Sequence, residues 1–374
     1  MASNKVGILT FHQALSYGAK LQAYALQQFL TENGIENDII DYTCKYMYNT
    51  QIRPIRFWYK KKLSVTIKDI LRSFITMRQV GIERDKTIAF RQKHLNLSRP
   101  FDESNISEAA GEYRAFITGS DQVWSPTVVG FDKVYFLNFA KPKQKYSYAA
   151  SVGGSKVEGK TKDEYRSLLS DFQKISVREP SAAQLVNELT GKEAVVSPDP
   201  TLLFTSEKWD GFAQRPEGFG EEEKYIFLFN VNIPKRLFNF AQELGKRTGL
   251  KIYSIQKNKR HHVDGVTYID PVSANEFVWL IKNAEYVVTN SFHATAFSLI
   301  YHKNFFIEFD TQGTRNVRSE QLLQRLRVTG REITAASYPE TDVKTDWDYA
   351  ESKLDELRQA AKTYIAEVKQ DIYG

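Results

Sequence analysis

Val287-Val288-Thr289-Asn290-Ser291-Phe292-His293-Ala294-Thr295-Ala296-Phe297-Ser298-Leu299-Ile300 reads as a short apolar strand, a sharp turn, and a helix whose first turn holds a histidine. Thr289, Asn290 and Ser291 are residue types that begin helices, because their short side chains accept from the first N–H groups of the helix. Free N–H groups at such a start attract anions. A histidine beside them can hold a phosphate or carboxylate, or deliver a proton. The segment fits equally well an ordinary strand-to-helix turn whose histidine is satisfied by the backbone. Taken alone, it does not separate the two readings.

The same alternation extends in both directions. Residues 6–10 suit a buried strand, Ser16-Tyr17-Gly18-Ala19 a turn, and residues 21–33 a helix with Leu21, Ala25, Leu26 and Phe29 on one face. Asn33-Gly34 stops that helix, and residues 35–41 form the next strand. Such an opening begins a doubly wound parallel sheet. A basic, helical insertion is expected at residues 45–100. Residues 115–119 resume the sheet, 145–151 add a strand, and 174–177 lead into a helix that starts at Arg178-Glu179-Pro180-Ser181. The Gly- and Glu-rich stretch 217–224 has no apolar period and reads as part of a linker region. Beyond it, strands are expected at 225–230, 251–255, 266–268, 286–289 and 305–309, with helices at 237–248, 274–283 and from 294. Residues 349–369 form a long amphipathic helix with Leu354, Leu357, Ala361, Tyr364, Ile365 and Val368 on its apolar side.

A chain of 374 residues is long enough for two domains. The expected fold class is α/β. An N-terminal doubly wound domain spans 1–215, a C-terminal one spans 216–340, and 341–374 is a helix packing back on the body. Facing domains of this kind make a cleft, and ligands sit at the carboxyl ends of their strands.

Composition excludes several classes. The chain is 42% hydrophobic and 26% charged, as in soluble globular proteins. No apolar run reaches the length of a membrane span. The first residues pass straight into a strand pattern without the apolar core of a secretion signal. Cys44 is the only cysteine, so there is no intramolecular disulfide and no cysteine-based metal site. A cytoplasmic protein is expected. His261-His262 with Asp264 lacks further ligands at metal spacing, and no metal is expected.

The net charge of +6 is unevenly placed, for residues 45–99 alone carry a larger cationic surplus. Within it, Arg56-Phe57-Trp58-Tyr59-Lys60-Lys61-Lys62 sets aromatic rings against cations, which suits the anionic face of a membrane. A solvated helical face is the plainer reading. Nucleic acid is not expected as a partner, since the cations sit in one insertion and no recognised nucleic-acid motif is present.

There is no Walker loop, no dinucleotide fingerprint and no Gly-x-Ser-x-Gly elbow. Three loops remain besides the opening one. Tyr17 and Gly18 lie in a turn whose backbone N–H groups suit a ligand, or simply a tight strand-to-helix connection. Asp121 places a carboxylate at a strand's carboxyl end, or caps a helix. Arg178 suits bidentate binding of a carboxylate or phosphate, or pairs with Glu179 at the surface.

In this order, Ser16-Tyr17-Gly18-Ala19-Lys20-Leu21-Gln22-Ala23-Tyr24-Ala25-Leu26, Gly119-Ser120-Asp121-Gln122-Val123-Trp124, Tyr148-Ala149-Ala150-Ser151, Ser176-Val177-Arg178-Glu179, Ser197-Pro198-Asp199-Pro200-Thr201 and Asn290-Ser291-Phe292-His293-Ala294 resemble the polysaccharide pyruvyl transferase family. The resemblance implies two Rossmann-like domains in a glycosyltransferase-B-like arrangement with a central cleft. It implies transfer of pyruvate from phosphoenolpyruvate, as donor substrate, to a sugar of a polysaccharide as a cyclic ketal. No cofactor or metal is required. Galactose on a polyprenyl-diphosphate-linked oligosaccharide is the expected acceptor. The basic insertion would then dock the enzyme peripherally on the inner face of the cell membrane. A sugar-nucleotide-dependent glycosyltransferase would share the architecture.

The family pattern puts Arg178 and His293 on phosphoenolpyruvate. Many members carry an arginine two residues before the histidine, where this chain has Ser291. The Ser291 hydroxyl, beside Asn290 at the helix start, substitutes in part, and Arg318 is the candidate for the missing charge. His293 is expected as general acid or phosphate clamp and Asp121 as the base for the sugar hydroxyl. Tyr17 and Gly18 would line the acceptor side.

Overall fold

The computed structural model describes residues 3–47, 67–153, 157–220, 222–231, 235–255, 263–309, 317–335 and 337–374. The aromatic–basic segment 56–62 and His261-His262 lie outside the described residues. The chain divides into two compact units: Met1–Ile52 with Ala89–Phe204 and Ser352–Gly374, and Arg53–Ile88 with Thr205–Glu351. No helix among the described residues is long and apolar enough to cross a membrane.

In chain order, the first part runs β1 (Val6–Leu9), α1 (Tyr17–Glu32), β2 (Asn37–Tyr42), α2 (Lys45–Met47), α3 (Ile67–His94), β3 (Leu97–Phe101), α4 (Ala109–Glu112), β4 (Ala115–Thr118), β5 (Lys145–Ser147), α5 (Lys160–Ser170), β6 (Ser176–Val177), α6 (Pro180–Thr190) and β7 (Val195–Val196). The main sheet has the order β3-β2-β1-β4-β5, and every pairing in it is parallel. A parallel sheet needs cover on both faces, and β1 and β4 are accordingly buried at every residue. Gly7 makes room for that cover: a Cβ there would lie 2.8 Å from Ile40 Cδ1 and from Phe116 Cδ1. The predicted face of α1 is buried throughout: Leu21, Ala25, Leu26 and Phe29.

The basic insertion does not extend to residue 100. It ends before β3, which pairs with β2 at the edge of the sheet. Pro100 in Leu-Ser-Arg-Pro-Phe hides this strand from a pattern reading, but a proline is tolerated on an edge. Part of the insertion's charge is also paired. Lys86 Nζ lies 2.9 Å from Glu276 Oε2, and Arg78 lies 3.5 Å from Asp270.

The second part runs α7 (Ser206–Asp210), β8 (Tyr225–Phe229), α8 (Lys235–Thr248), β9 (Lys251–Ile255), β10 (Val266–Ile269), α9 (Ala274–Asn283), β11 (Tyr286–Thr289), α10 (Phe292–Ile300), β12 (Asn304–Ile307), α11 (Val317–Arg325) and α12 (Trp347–Tyr373). Its sheet, β10-β9-β8-β11-β12, is again wholly parallel. The α/β expectation with two Rossmann-like sheets is borne out. Each sheet reverses its direction of growth once, between β1 and β4 and between β8 and β11. Such reversal points are where α/β sheets leave room for ligands.

The terminal helix α12 joins the first unit from Ser352 onward. Leu354, Leu357, Ala361, Tyr364, Ile365 and Val368 are all buried. Tyr364 donates to the Ser147 carbonyl at 2.7 Å, and Arg358 Nε to the Leu202 carbonyl at 3.1 Å.

The division falls at Phe204 and Thr205, so residues 205–215 group with the second unit and not with an N-terminal domain ending at 215. The cause is packing. Trp209 meets Phe297 edge-on at 4.9 Å and Phe212 at 5.4 Å, and Asn275 Nδ2 donates to the Phe212 carbonyl at 2.9 Å. The stretch read as a linker is pinned as well, since the Phe219 ring lies 4.9 Å from Tyr253 and 5.6 Å from Tyr225. If residues 205–215 are core, Trp209→Ala costs about 3–5 kcal/mol, as for a large cavity. Exposed Glu217→Ala stays within about 0.5 kcal/mol. Urea unfolding midpoints check both, and equally small shifts would show that 205–215 is not core.

Candidate active site

At the second reversal point, the ends of β8 and β11 are tied together. Thr289 Oγ1 donates to the Phe229 carbonyl at 2.6 Å, and Asn290 Oδ1 accepts from the Val231 N–H at 2.8 Å. Ser291 then caps α10: its backbone is extended and its Oγ accepts from the Ala294 N–H at 3.5 Å. His293 sits half-buried in the first helical turn, its ring edge-on to Phe292 at 5.3 Å. The Arg318 guanidinium lies 5.3 Å from the centre of the same Phe292 ring. Asn290, Ser291, His293 and Arg318 are therefore brought to one edge of this sheet.

Two further charged residues reach that edge. Glu308, just past β12 and buried, donates its N–H to the Thr289 carbonyl at 3.0 Å. Its Oε1 stands 3.6 Å from Arg236 Nη1. Neither was a candidate in the sequence. Arg236 looks there like one more cation on the surface of an amphipathic helix, and only its place just after β8 hints otherwise.

At the first reversal point, Gly119 follows β4 with φ +109, and a Cβ on it would stand 2.3 Å from the Tyr148 carbonyl oxygen. Only glycine fits that close approach. Asp121 comes next but one, with φ +72 and a side chain 15% exposed. It does not cap a helix: its Oδ1 accepts from the Gln122 N–H at 2.9 Å within a turn. Arg178 is not a surface partner of Glu179 either. Its side chain is 2% exposed, and Nη2 donates to Ser120 Oγ at 2.6 Å. The same nitrogen lies 3.1 Å from Asp199 Oδ2 and 3.8 Å from Asp121 Oδ1. Asp199 is fully buried, and its Oδ1 accepts from the Thr201 N–H at 3.0 Å and hydroxyl at 2.7 Å. Glu179, also buried, accepts instead from the Ser151 hydroxyl. Tyr17 and Gly18 are buried in the first turn of α1, where Lys20 stands 5.0 Å over the Tyr17 ring.

His12 was also missed. It follows β1 by three residues, and its Nδ1 lies 3.1 Å from the Thr10 carbonyl and its Nε2 2.9 Å from Asp41 Oδ1. Gln13 Nε2 donates to that same oxygen at 2.8 Å, as does Arg91 Nη2. Burial alone would raise the Asp41 carboxyl; the bond and charge of His12, the charge of Arg91 and the Gln13 bond outweigh it and lower it to about 2. Thr10 Oγ1 donates to the Ser120 carbonyl at 3.1 Å, which joins this cluster to the Asp121 loop. A histidine just beyond the first strand was the available signal, but its partner Asp41 is 29 residues away in sequence.

The family profile described as Polysaccharide pyruvyl transferase matches residues 17–307. Among solved structures, the UDP-GlcNAc 2-epimerase of Neisseria meningitidis bound to UDP-GlcNAc is 11% identical, with TM-score 0.47 over 98% of this chain and 100% of that one. The UDP-GlcNAc 2-epimerase of Methanocaldococcus jannaschii in complex with UDP-GlcNAc and UDP is 12% identical, with TM-score 0.43 over 100% of each chain. Spinosyn forosaminyltransferase is 12% identical, with TM-score 0.40 over 99% of this chain and 95% of that one. No curated protein matches.

The two ionic networks respond differently to mutation. The folded-state Asp41 carboxyl lies at about 2, below its ordinary 3.8, so its stabilisation is complete above the ordinary value and is lost as pH falls through the lower one. Asp41→Asn is therefore less stable than the parent at neutral pH, and the gap narrows between pH 3.8 and about 2. Denaturant midpoints across that range test it; a constant gap would contradict it. Arg178→Met leaves the Asp199 carboxylate buried without this cation and costs about 3–5 kcal/mol. His293→Ala, in contrast, changes stability by about 1 kcal/mol or less. Comparable losses for the two would place His293 in the structural framework.

Proposed function

This chain belongs to the polysaccharide pyruvyl transferase family, and on that premise we propose that it moves the pyruvyl group of phosphoenolpyruvate onto a sugar of a lipid-linked polysaccharide repeat unit. The product is a cyclic ketal, with galactose as the proposed acceptor sugar. The observation that supports this reading best is His293 in the first turn of α10, behind the Ser291 cap and at the edge that also holds Arg318. A proton donor and a cation at one strand edge suit an anionic enol ester.

In the proposed reaction, a proton adds to the methylene carbon of phosphoenolpyruvate and makes the central carbon electrophilic. One sugar hydroxyl attacks that carbon and loses its proton to a base. The C–O bond to phosphate breaks, and the second hydroxyl closes the ring with loss of its own proton. Of the two hydroxyl protons, one balances the new methyl group and the other leaves with phosphate. His293 is proposed as the acid or phosphate clamp. Asp121 is proposed as the base, with Tyr17 and Gly18 on the acceptor side and Asn290 and Ser291 on the donor side. Arg178 is assigned to phosphoenolpyruvate by the family pattern. Its contacts with Ser120, Asp199 and Asp121 support a second role, holding the Asp121 loop in place.

The test is incubation with phosphoenolpyruvate and a panel of lipid-linked oligosaccharides. The expected result is phosphate release that depends on the acceptor, with a mass gain of one pyruvyl ketal. Release of a nucleoside diphosphate from a sugar nucleotide, with phosphoenolpyruvate untouched, would identify a glycosyltransferase instead. His293→Ala is expected to lower turnover by at least about 10²-fold, the scale of general acid–base assistance. Near-normal turnover in that variant would remove His293 from the chemistry.

A further inference from the structure

Strand β11 lies between β8 and β12 in its sheet. Arg236 follows β8, in the first turn of α8, and Glu308 follows β12. For their side chains to stand 3.6 Å apart, they must reach toward each other across the carboxyl end of β11. That end is the Thr289-Asn290-Ser291 turn leading to His293. Both flanks of the bridge are fastened to the turn, through Val231 N–H to Asn290 Oδ1 at 2.8 Å and Glu308 N–H to the Thr289 carbonyl at 3.0 Å.

The pair is built loosely. A separation of 3.6 Å exceeds a normal charged hydrogen bond, and the Arg236 side chain is 34% exposed. Glu308 is the reverse, with a side chain only 10% exposed. A buried carboxylate beside this turn would repel an anionic substrate unless a cation accompanied it. An arginine fork also matches the oxygens of a phosphate group. Arg318, the other cation at this edge, lies against the Phe292 ring.

We propose that Arg236 binds the phosphate group of the donor substrate, with Glu308 as its resting counter-charge across the end of β11. Arg236 thereby supplies the cation that Ser291 cannot. The proposal rests on the reading of the chain as a phosphoenolpyruvate-dependent pyruvyl transferase. A phosphate entering the site shares the partly exposed Arg236 side chain with Glu308.

The test is calorimetric titration of the full chain with phosphoenolpyruvate, and separately with pyruvate, which lacks the phosphate. Arg236→Gln is expected to weaken phosphoenolpyruvate binding by at least about 10-fold, the scale of a hydrogen bond to a charged group. Its effect on pyruvate is expected to be much smaller. Arg236→Lys restores part of the loss, which also shows that the fold tolerates change at this position. Glu308→Gln separates this role from a structural one. It breaks the same ion pair yet removes a negative charge from the site, so phosphoenolpyruvate affinity stays equal or rises. A purely structural pair would make Arg236→Gln and Glu308→Gln fall together, which would overturn the proposal. Unchanged phosphoenolpyruvate affinity in Arg236→Gln would also overturn it while leaving pyruvyl transfer intact. If the parent chain bound no phosphoenolpyruvate, the pyruvyl-transfer reading would fall first and the role of Arg236 with it.

Discussion

Parallel pairing governs this molecule. When every strand of a sheet runs the same way, every carboxyl end opens onto one edge, and the loops that follow have nowhere else to go. Both main sheets obey this rule. Where the direction of growth reverses, successive helices leave to opposite faces, and the edge between them stays open. Each reversal point here is closed by a threonine hydroxyl given to a neighbouring carbonyl, Thr10 to Ser120 and Thr289 to Phe229. These bonds are short-range in space and long-range in sequence. They are what turns separate loops into a defined arrangement of side chains.

The charged groups at these edges follow a common logic. Arg178 meets Asp199, Arg91 and His12 meet Asp41, and Arg236 meets Glu308. Removing two charges from water is costly, and a buried pair returns that cost only with good geometry and further hydrogen bonds. The networks around Asp41 and Asp199 meet that condition, since each carboxylate accepts from several donors. Arg236 and Glu308 stand farther apart, and the Arg236 side chain is partly in solvent. Well-satisfied pairs make a framework. A loose one keeps a cation available.

Much of the fold was legible in the residues themselves. The face of α1 and the apolar side of α12 follow from helical spacing, because a helix buries whichever stripe is apolar. The Ser291 cap follows from its side chain alone. The strands of the second sheet are short apolar runs between turn residues, and they appear close to where the pattern put them. What escaped was β3, whose proline is acceptable only because the strand lies at an edge, and the grouping of residues 205–215, which Trp209 decides by packing on Phe297.

The places of the candidate site residues were legible to the same degree and for the same reason. Order along the chain placed Asp121, Arg178, Asn290 and Ser291 in loops after strands and His293 in the helical turn that follows one, because the alternation of strands and helices is a local property. The partners of those residues are not local. That Arg178 faces Asp199 and not Glu179, that His12 rests on Asp41, and that Arg236 reaches Glu308 across β11 depend on strand order within a sheet. Residue spacing determines which side chains stand at strand ends, since each strand or helix reads its own period. Only the tertiary structure decides which of those ends are neighbours, because pairing between distant strands is settled by burial of the whole sheet.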